Sequence, residues 1–581
     1  MPRLTDDPEE GQFSRFNSRY NLKKIAIIGG VAVVGLLGLT AVYTTLKGDD
    51  LQLGEPKCPL PAYFSANSTA ITDRSKQFLS DKEFIAQSYE KLSQAVKVPT
   101  EVYDGQPEVK DHPEVWAKFG KFHHYLEKTF PTVYEHLQVD KVNTWGLVFT
   151  WKGKNADLKP VLLTAHQDVV PVQADTIKDW KYDPFSGHIG KDFIYGRGVS
   201  DCKNLLVGLM ETVEQLLADG FKPQRSIVLA FGFDEEASGG HGARHISHFL
   251  TKKYGKDSFY AVIDEGSSGL IKGGSGQYYA QVATGEKGFF NAEIQLTTPG
   301  GHSSVPPDHT SIGIMSSLVK LLETETFEPI LTDENPTMGF LQCLAEHDTS
   351  LPTKWRSTIL KAVHNKAANL KVLEYLSSSK LSKFLVRTSQ AVDIIKGGAK
   401  SNALPEHVSI ISNYRVAIGS NVAETVDHVS SKIQRVAQEY NVGYVDASGK
   451  QVYDISNSNG YFNMSVLTPL EPAPLSPTTK DSKVWMAFGG ALRHFYKNVV
   501  GIKEEVIVTP GIMTGNTDTK YYWDLTRNIY RFIPGYTDTV TSLIELGIHS
   551  VNEKLPKVSH LHVIAFYYEY LQAIDKEADE E

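Results

Sequence analysis

The sequence predicts an α/β protein: a large domain on a buried, largely parallel sheet, an α+β domain inserted into it, and one transmembrane helix ahead of both. Three observations predict this. Between Val161 and Gly266, apolar β-branched runs (VLLTAHQDVVPV, SIVLAFGFDEE, FYAVIDEG) alternate with helical stretches and end in acidic or imidazole side chains followed by small residues. Short apolar runs bounded by turn residues read as strands buried on both faces, as in a parallel sheet. Near Thr284 the pattern changes to GEKGFFNAEIQLTTPGGHSSVPP, a half-exposed strand and a loop. Finally, Ile25 to Leu46 runs without a charged side chain, long enough to span a hydrocarbon core of about 30 Å as a helix.

Taken in order, residues 1–24 form a tail carrying Arg15, Arg19, Lys23 and Lys24 next to the apolar stretch, with Asp49 and Asp50 beyond it. The positive-inside bias keeps that tail cytosolic and sends the body across the membrane, a type II signal-anchor at 25–46. A cleaved signal peptide, whose apolar core would run about 7–15 residues, is the competing reading. Residues 47–75 are rich in Pro, Ser, Asp and Gly and read as a stalk. From 76 to 283 the first part of the large domain follows, opening on helical patterns that include His123 and His124. Adjacent histidines on a helix point to different faces, so these two are read as surface or core residues.

The inserted lid domain is placed at 284–455, with KAANLKVLEYLSSSKLSKFLVRTS as a helical insertion within it. The large domain resumes over 456–575 and closes with the helix LHVIAFYYEYLQAI; 576–581 is an acidic, solvated tail. The chain of 581 residues is 41% apolar with a formal net charge of −9, which supplies no basic field to attract nucleic acid. Three cysteines, Cys58, Cys202 and Cys343, are too few for a disulfide-built fold; a Cys58–Cys343 bridge is left open. Sequons at Asn67 and Asn463 mark glycosylation sites that fit a lumenal body.

Candidate functional residues gather where strands end, the position at which open α/β sheets place their sites. His166 and Asp168 close one strand, two apart and so on one face, where Asp168 can orient the ring; a satisfied buried pair is the alternative. Asp201 stands before an amphipathic helix, as a ligand or as its N-cap. Glu235 and Glu236 follow SIVLAFGF, and buried carboxylates there need a cation or strong donors to compensate. Asp264 repeats the arrangement, and His549 lies near the end of the chain. This is a metal-site pattern.

Together these stretches resemble the M20 zinc peptidases. The resemblance rests on His166-x-Asp168, Gly196-Arg-Gly-x-x-Asp201-x-Lys203, Asp234-Glu-Glu236, Asp264-Glu-Gly266, Gly300-Gly-His-Ser303 and His549-x-x-Asn-Glu553. It covers nearly the whole chain after residue 24 and is nearest the fungal vacuolar Gly-X carboxypeptidases. It implies a zinc-exopeptidase-like, three-layer αβα catalytic domain with an inserted lid. It further implies two Zn2+ per subunit, with Asp201 bridging, His166 and Asp264 completing one site, and Glu236 and His549 the other. Glu235 would be the general base acting on a zinc-bridging hydroxide, Asp168 would orient His166, and His302 would stabilise the oxyanion. Asn402 and Arg415 would clamp the substrate, Arg415 holding a C-terminal carboxylate by paired hydrogen bonds. The family's peptide bond after the bridging Asp is usually cis, and Cys202 follows that Asp where Asn or another small polar residue is common.

The implied activity is a di-zinc carboxypeptidase acting on short peptides, notably Gly-X and N-blocked dipeptides, in the vacuolar lumen. The alternative is an N-acyl amino acid hydrolase or synthase, which needs the same zinc chemistry and the same clamp. A non-catalytic, membrane-anchored binding protein would have lost ligands or the base, and all are present. No Gly-x-Ser-x-Gly elbow or His-Glu-x-x-His helix occurs. In some family members the lid histidine comes from the other subunit of a homodimer formed through the lid domain; the helical insertion works against that pairing here.

Overall fold

The computed structural model describes residues 56–579 apart from 381, 454–458 and 537–542. In chain order its principal strands are β1 (Gln138–Val142), β2 (Gly146–Trp151), β3 (Val161–His166), β4 (Ile227–Gly232), β5 (Ala261–Ser268) and β6 (Tyr278–Glu286). Then come β7 (Gly288–Thr297), β8 (Ser389–Gly397), β9 (His407–Val416), β10 (Tyr461–Leu470), β11 (Val506–Met513) and β12 (Ile529–Ile533). The helices used below are α1 (Lys82–Val96), α2 (Lys203–Ala218), α3 (Ala243–Tyr254), α4 (Ser311–Thr324), α5 (Pro336–His347), α6 (Val422–Glu439) and α7 (Lys557–Ala573).

The large domain is a twisted sheet in the order β1-β2-β4-β3-β5-β12-β6-β11. β3 lies parallel to both β4 and β5, and β5 parallel to β12, so their carboxyl ends share one edge. β2, β3 and β4 are buried at every position, as their unbroken apolar runs predict. Alternate residues serve opposite faces. Leu163, Leu229 and Ile263 pack with α2 and α7, whereas Leu162, Val228 and Val262 pack with α3. The result is the three-layer αβα arrangement.

The lid sheet runs β8-β9-β7-β10 and continues to two short strands. β7 alternates buried and half-buried residues along its length, apart from one exposed position, because α4 and α6 cover only one face, through Ile294, Leu318, Ile410 and Ile433. The lid therefore extends to Leu470, past the boundary expected at 455, since β10 pairs with β7. The helical insertion departs from its expected place in the lid. α5 and the two helices after it pack on Tyr279 of β6 and Ile507 of β11, at the edge of the large sheet. Gly339 of α5 permits this approach: a Cβ there would stand 2.6 Å from Pro510 Cγ.

The stalk is also shorter than its composition suggests. From residue 56 the chain lies against the body: Cys58 is buried and bonded to Cys343, the Lys57 and Cys58 amides donate to Glu346, and a helix begins at Thr69. Pro- and Ser-rich chain reads as linker because it lacks a period, yet here long-range partners satisfy its backbone. Removing this cross-link frees the unfolded chain, so Cys343→Ser is expected to cost about 2–4 kcal/mol of stability, read as a lower thermal midpoint in scanning calorimetry. Among the described residues no helix is long and apolar enough to cross a membrane; residues 1–46, with the expected span at 25–46, lie outside the described residues, as do 47–55 and the last two of the acidic tail.

Candidate active site

Four loops leave the carboxyl edge of the large sheet and converge. β3 ends on His166; β4 runs into the tight turn Glu235–Ala237; β5 presents Asp264 and Glu265; and the loop before α2 carries Asp201. The fifth contribution, His549, comes from a late loop where its own backbone is left-handed (φ 58°). The Asp201–Cys202 peptide is cis, as the resemblance implies.

Asp201 is the centre of the arrangement. Its Oδ1 lies 3.0 Å from His166 Nε2, and its Oδ2 lies 3.1 Å from His549 Nε2. Glu265 Oε1 stands 3.4 Å from His166 Nε2, and Glu236 Oε2 stands 3.2 Å from His549 Nε2. Two groups thus share one carboxylate: His166, Asp201 and Glu265, with Cys202 beside them, and Asp201, Glu236 and His549. Glu235 forms a third group with His166 and Glu236. His166 Nδ1 lies 3.0 Å from the Asp168 carbonyl; that carbonyl can only accept, so Nδ1 holds a proton and Nε2 is the nitrogen turned to the cluster.

The electrostatics point to missing positive charge. Burial pushes Glu265 up to about 8 and Glu236 up to about 7, the Asp201 charge adding to both. Burial and then Glu265 drive Glu235 well above the usual carboxylate range. For Asp201 burial acts upward as well, but hydrogen bonds from His166 and His549 outweigh it and hold the carboxyl low. His549 is raised to about 10 by hydrogen bonds with Asp201 and Glu236. Glu236 Oε1 is buried with no hydrogen-bond partner among the described residues. Carboxylates and imidazoles crowded in this way are costly unless cations compensate. Two ligand side chains on each side of a shared carboxylate, three per site when Asp201 is counted in both, fit a pair of divalent ions.

On β5 the residue brought beside His166 is Glu265. The pairing of β5 with β12 sets Asp264 opposite Arg531 and then jumps to Ser267 opposite Phe532. Glu265 and Gly266 fall in this irregularity, which re-aims the strand, with Gly266 at φ 143°. Asp264 is buried, its Oδ2 without a hydrogen-bond partner among the described residues, and Glu265 Oε1 stands beside His166. Asp168 Oδ1 lies 3.3 Å from His166 Nδ1, and its carboxylate also accepts from the Glu235 and Glu236 amides at 3.1 and 3.0 Å, fixing the turn that holds both.

Glu553 is a further residue whose role the motif does not reveal. It is 1% exposed and accepts from Arg197 Nη1 at 2.7 Å and from the amides of Gly198, Ser200 and Asp201 at 3.1, 3.0 and 3.4 Å. One carboxylate therefore ties the His549 loop to the Asp201 loop.

The lid residues are less tightly gathered. His302 and Asn402 are exposed neighbours where Gly301–His302 pairs with Ala403–Leu404, the Asn402 carbonyl accepting from the Ser303 amide. His302 Nδ1 accepts from the Ser304 amide. No hydrogen bond or ion pair among the described residues joins either side chain to the cluster. Arg415 is half-buried on β9, not an exposed strand-edge charge. Its guanidinium lies 4.7 Å over the Phe289 ring and donates to Asn516 Oδ1 of the large domain at 3.0 Å. Near it Lys287 is buried, and burial followed by Arg415 pushes its ammonium down to about 7. Among the described residues neither cation has a carboxylate within ion-pairing distance. His123 is buried and bonds Gln167 and the Trp145 carbonyl, away from the cluster. Asn67 is exposed, and Asn463 is half-buried on β10.

Comparison with known proteins gives concordant results. Carboxypeptidase S of Saccharomyces cerevisiae is 43% identical over 530 residues, covering 90% of this chain and 90% of that protein. The N-fatty-acyl-amino acid synthase/hydrolase PM20D1 of Bos taurus is 31% identical over 554 residues, covering 94% and 95%. Among solved structures, the dipeptidase Dug1p from Saccharomyces cerevisiae shares the fold with a TM-score of 0.57 at 15% identity, over 88% of this chain and 99% of that one. Human carnosine dipeptidase 1 does so with a TM-score of 0.56 at 14% identity, over 89% and 100%. The model of peptidase family M20/M25/M40 matches residues 162–573, from the strand that delivers His166 to the end of α7 behind His549. With that span and those identities, this chain belongs to peptidase family M20/M25/M40.

Proposed function

We propose that the protein is a metallo-carboxypeptidase that hydrolyses the C-terminal peptide bond of short peptides, notably Gly-X and N-blocked dipeptides. The observation that carries this reading is the shared carboxylate of Asp201, faced by an imidazole on each oxygen, with Glu235 alongside. His166, Asp201 and Glu265 would hold one zinc ion, and Asp201, Glu236 and His549 the other. When bound, the pair supplies Lewis acidity to the scissile carbonyl and lowers the pKa of water.

The chain's own groups do the rest. Glu235 accepts a proton from the water that adds to the carbonyl carbon and returns it to the amine as the C–N bond breaks, leaving a new carboxylate and a free amino acid. Asp168 keeps Glu235 in place through the backbone. Arg415 receives the substrate's terminal carboxylate; a half-buried guanidinium with no carboxylate within ion-pairing distance among the described residues supports this role. His302 and Asn402 come to the substrate when the lid domain pivots towards the cluster about the end that Asn516 holds through Arg415, His302 donating to the oxyanion.

The name of the relative at 43% identity favours a peptide substrate, and that of the relative at 31% an N-acyl amino acid, which the same clamp would accept. Incubation of the purified chain with zinc and an N-acylated Gly-Leu dipeptide, followed by mass spectrometry, separates the two. Free leucine and acyl-glycine, absent with Glu235→Ala, is the expected result. Release of the acyl group with Gly-Leu intact would make the enzyme an N-acyl hydrolase. No zinc-dependent turnover would leave a binding protein. For location, a buried Cys58–Cys343 disulfide supports an oxidising lumen; with 25–46 as a signal-anchor, the resemblance to fungal vacuolar carboxypeptidases extends this to the vacuole.

A further inference from the structure

We propose that Asn516 is the positioning residue that makes Arg415 selective for a carboxylate, and that residues 516–521 hold this clamp at a fixed place relative to Glu235. The inference rests on the reading of Arg415 as the carboxylate clamp and deepens it.

Asn516 follows β11 in the large domain, yet its side chain works on the lid. Oδ1 accepts from Arg415 Nη1 at 3.0 Å, and Nδ2 donates to the Lys287 carbonyl at 2.7 Å. Lys287 in turn donates its ammonium to the carbonyls of Phe384 and Arg387. The amide is thus held at both ends, and it orients one arm of the guanidinium while Phe289 supports its face. An uncharged acceptor is the important property. It aims Arg415 without neutralising it, so the cation remains available to a substrate anion. An aspartate of nearly the same shape would pair with Arg415 internally and compete with the substrate.

The following residues run from this clamp to the base. The Thr517 amide and hydroxyl donate to Glu286 at 3.0 and 2.7 Å, and Glu286 also receives Arg531 Nε at 2.9 Å. The Asp518 carboxylate is wedged between the backbones on either side of the Glu235 turn: a Cβ on Gly232 would stand 2.5 Å from its Oδ2, and one on Gly239 would meet its Oδ1 at closer range still. Tyr521 donates its hydroxyl to the Ser238 carbonyl at 2.9 Å. A single short segment therefore touches the clamp at one end and the turn bearing Glu235 at the other. That spacing measures the distance from terminal carboxylate to scissile bond, which is what an exopeptidase must fix.

The test compares N-acyl-Gly-Leu with its C-terminal amide for the wild-type enzyme, Asn516→Asp, Asn516→Gln and Arg415→Ala, with zinc present and thermal midpoints recorded. For Asn516→Asp the expected result is a KM for the acid raised roughly 10- to 100-fold, a smaller change in kcat, and a similar fall in the preference for acid over amide. Asn516→Gln, which keeps an uncharged acceptor, is expected to recover part of that preference. If Arg415→Ala loses the preference while Asn516→Asp keeps the wild-type values, the inference is overturned and the clamp stands. If Arg415→Ala leaves KM and preference unchanged, the clamp reading fails and the inference fails with it. An equal loss on acid and amide in Asn516→Asp would mean a structural role only and would also overturn it.

Discussion

Glu235→Gln is expected to lower kcat by about 10²–10⁴-fold, the usual contribution of a positioned general base, with KM changed far less. The substitution keeps the size of the side chain and the two amides that Asp168 holds at 3.1 and 3.0 Å, so the turn should survive. Glu235 is not among the donors assigned to either side of Asp201, and metal content should therefore remain at the wild-type level. Steady-state kinetics with metal analysis of the same sample checks both halves. A variant within tenfold of wild type would remove Glu235 from the chemistry; a variant that is inactive because it has lost metal would make Glu235 a ligand instead.

The second large effect is expected at Asp201. Each of its oxygens meets a different imidazole, at 3.0 and 3.1 Å, so both sites lose a ligand's charge together in Asp201→Asn. Outer-shell changes alone cost about 10–100-fold in metal affinity, and the loss of the shared ligand should exceed this. The expected outcome is fewer than one tightly held zinc per chain and no measurable turnover at micromolar zinc. The fold should persist, since the loop is also held by Glu553 through Arg197, Gly198 and Ser200.

Much of this site is legible in the sequence because its residues stand at the ends of strands that announce themselves. His166 follows VLLTA and Glu235 follows SIVLAFGF, and burial at every position of β3 and β4 explains those runs. Asp264 is the natural choice on β5, since spacing alone gives no reason to prefer its neighbour. The register jump after Arg531 is what delivers Glu265. Only Gly266 hints at such an irregularity. Glu553 is visible as part of a motif, but its four donors come from a loop far earlier in the chain.

Long-range packing accounts for the other departures. The helix α5 has an apolar surface whose partner, Ile507 and Tyr279, lies elsewhere in the sequence, so its attachment to the large domain is not readable from its own pattern. The same holds for residues 56–68, which composition presents as a stalk and which Cys343 and Glu346 hold against the body. His302 and Asn402 belong to a different case. Their place on the lid is as the motif suggests, but both side chains are exposed and bond nothing in the cluster among the described residues, so the proposed role for them requires the lid to move.

The central claim is that one carboxylate joins two metal ions beside a glutamate base. Calorimetric titration of the metal-free chain with zinc tests it most directly. Two equivalents bound per chain, with both lost in Asp201→Asn and both kept in Glu235→Gln, is the predicted result. A single equivalent in the wild type, or two retained without the Asp201 carboxylate, would contradict it.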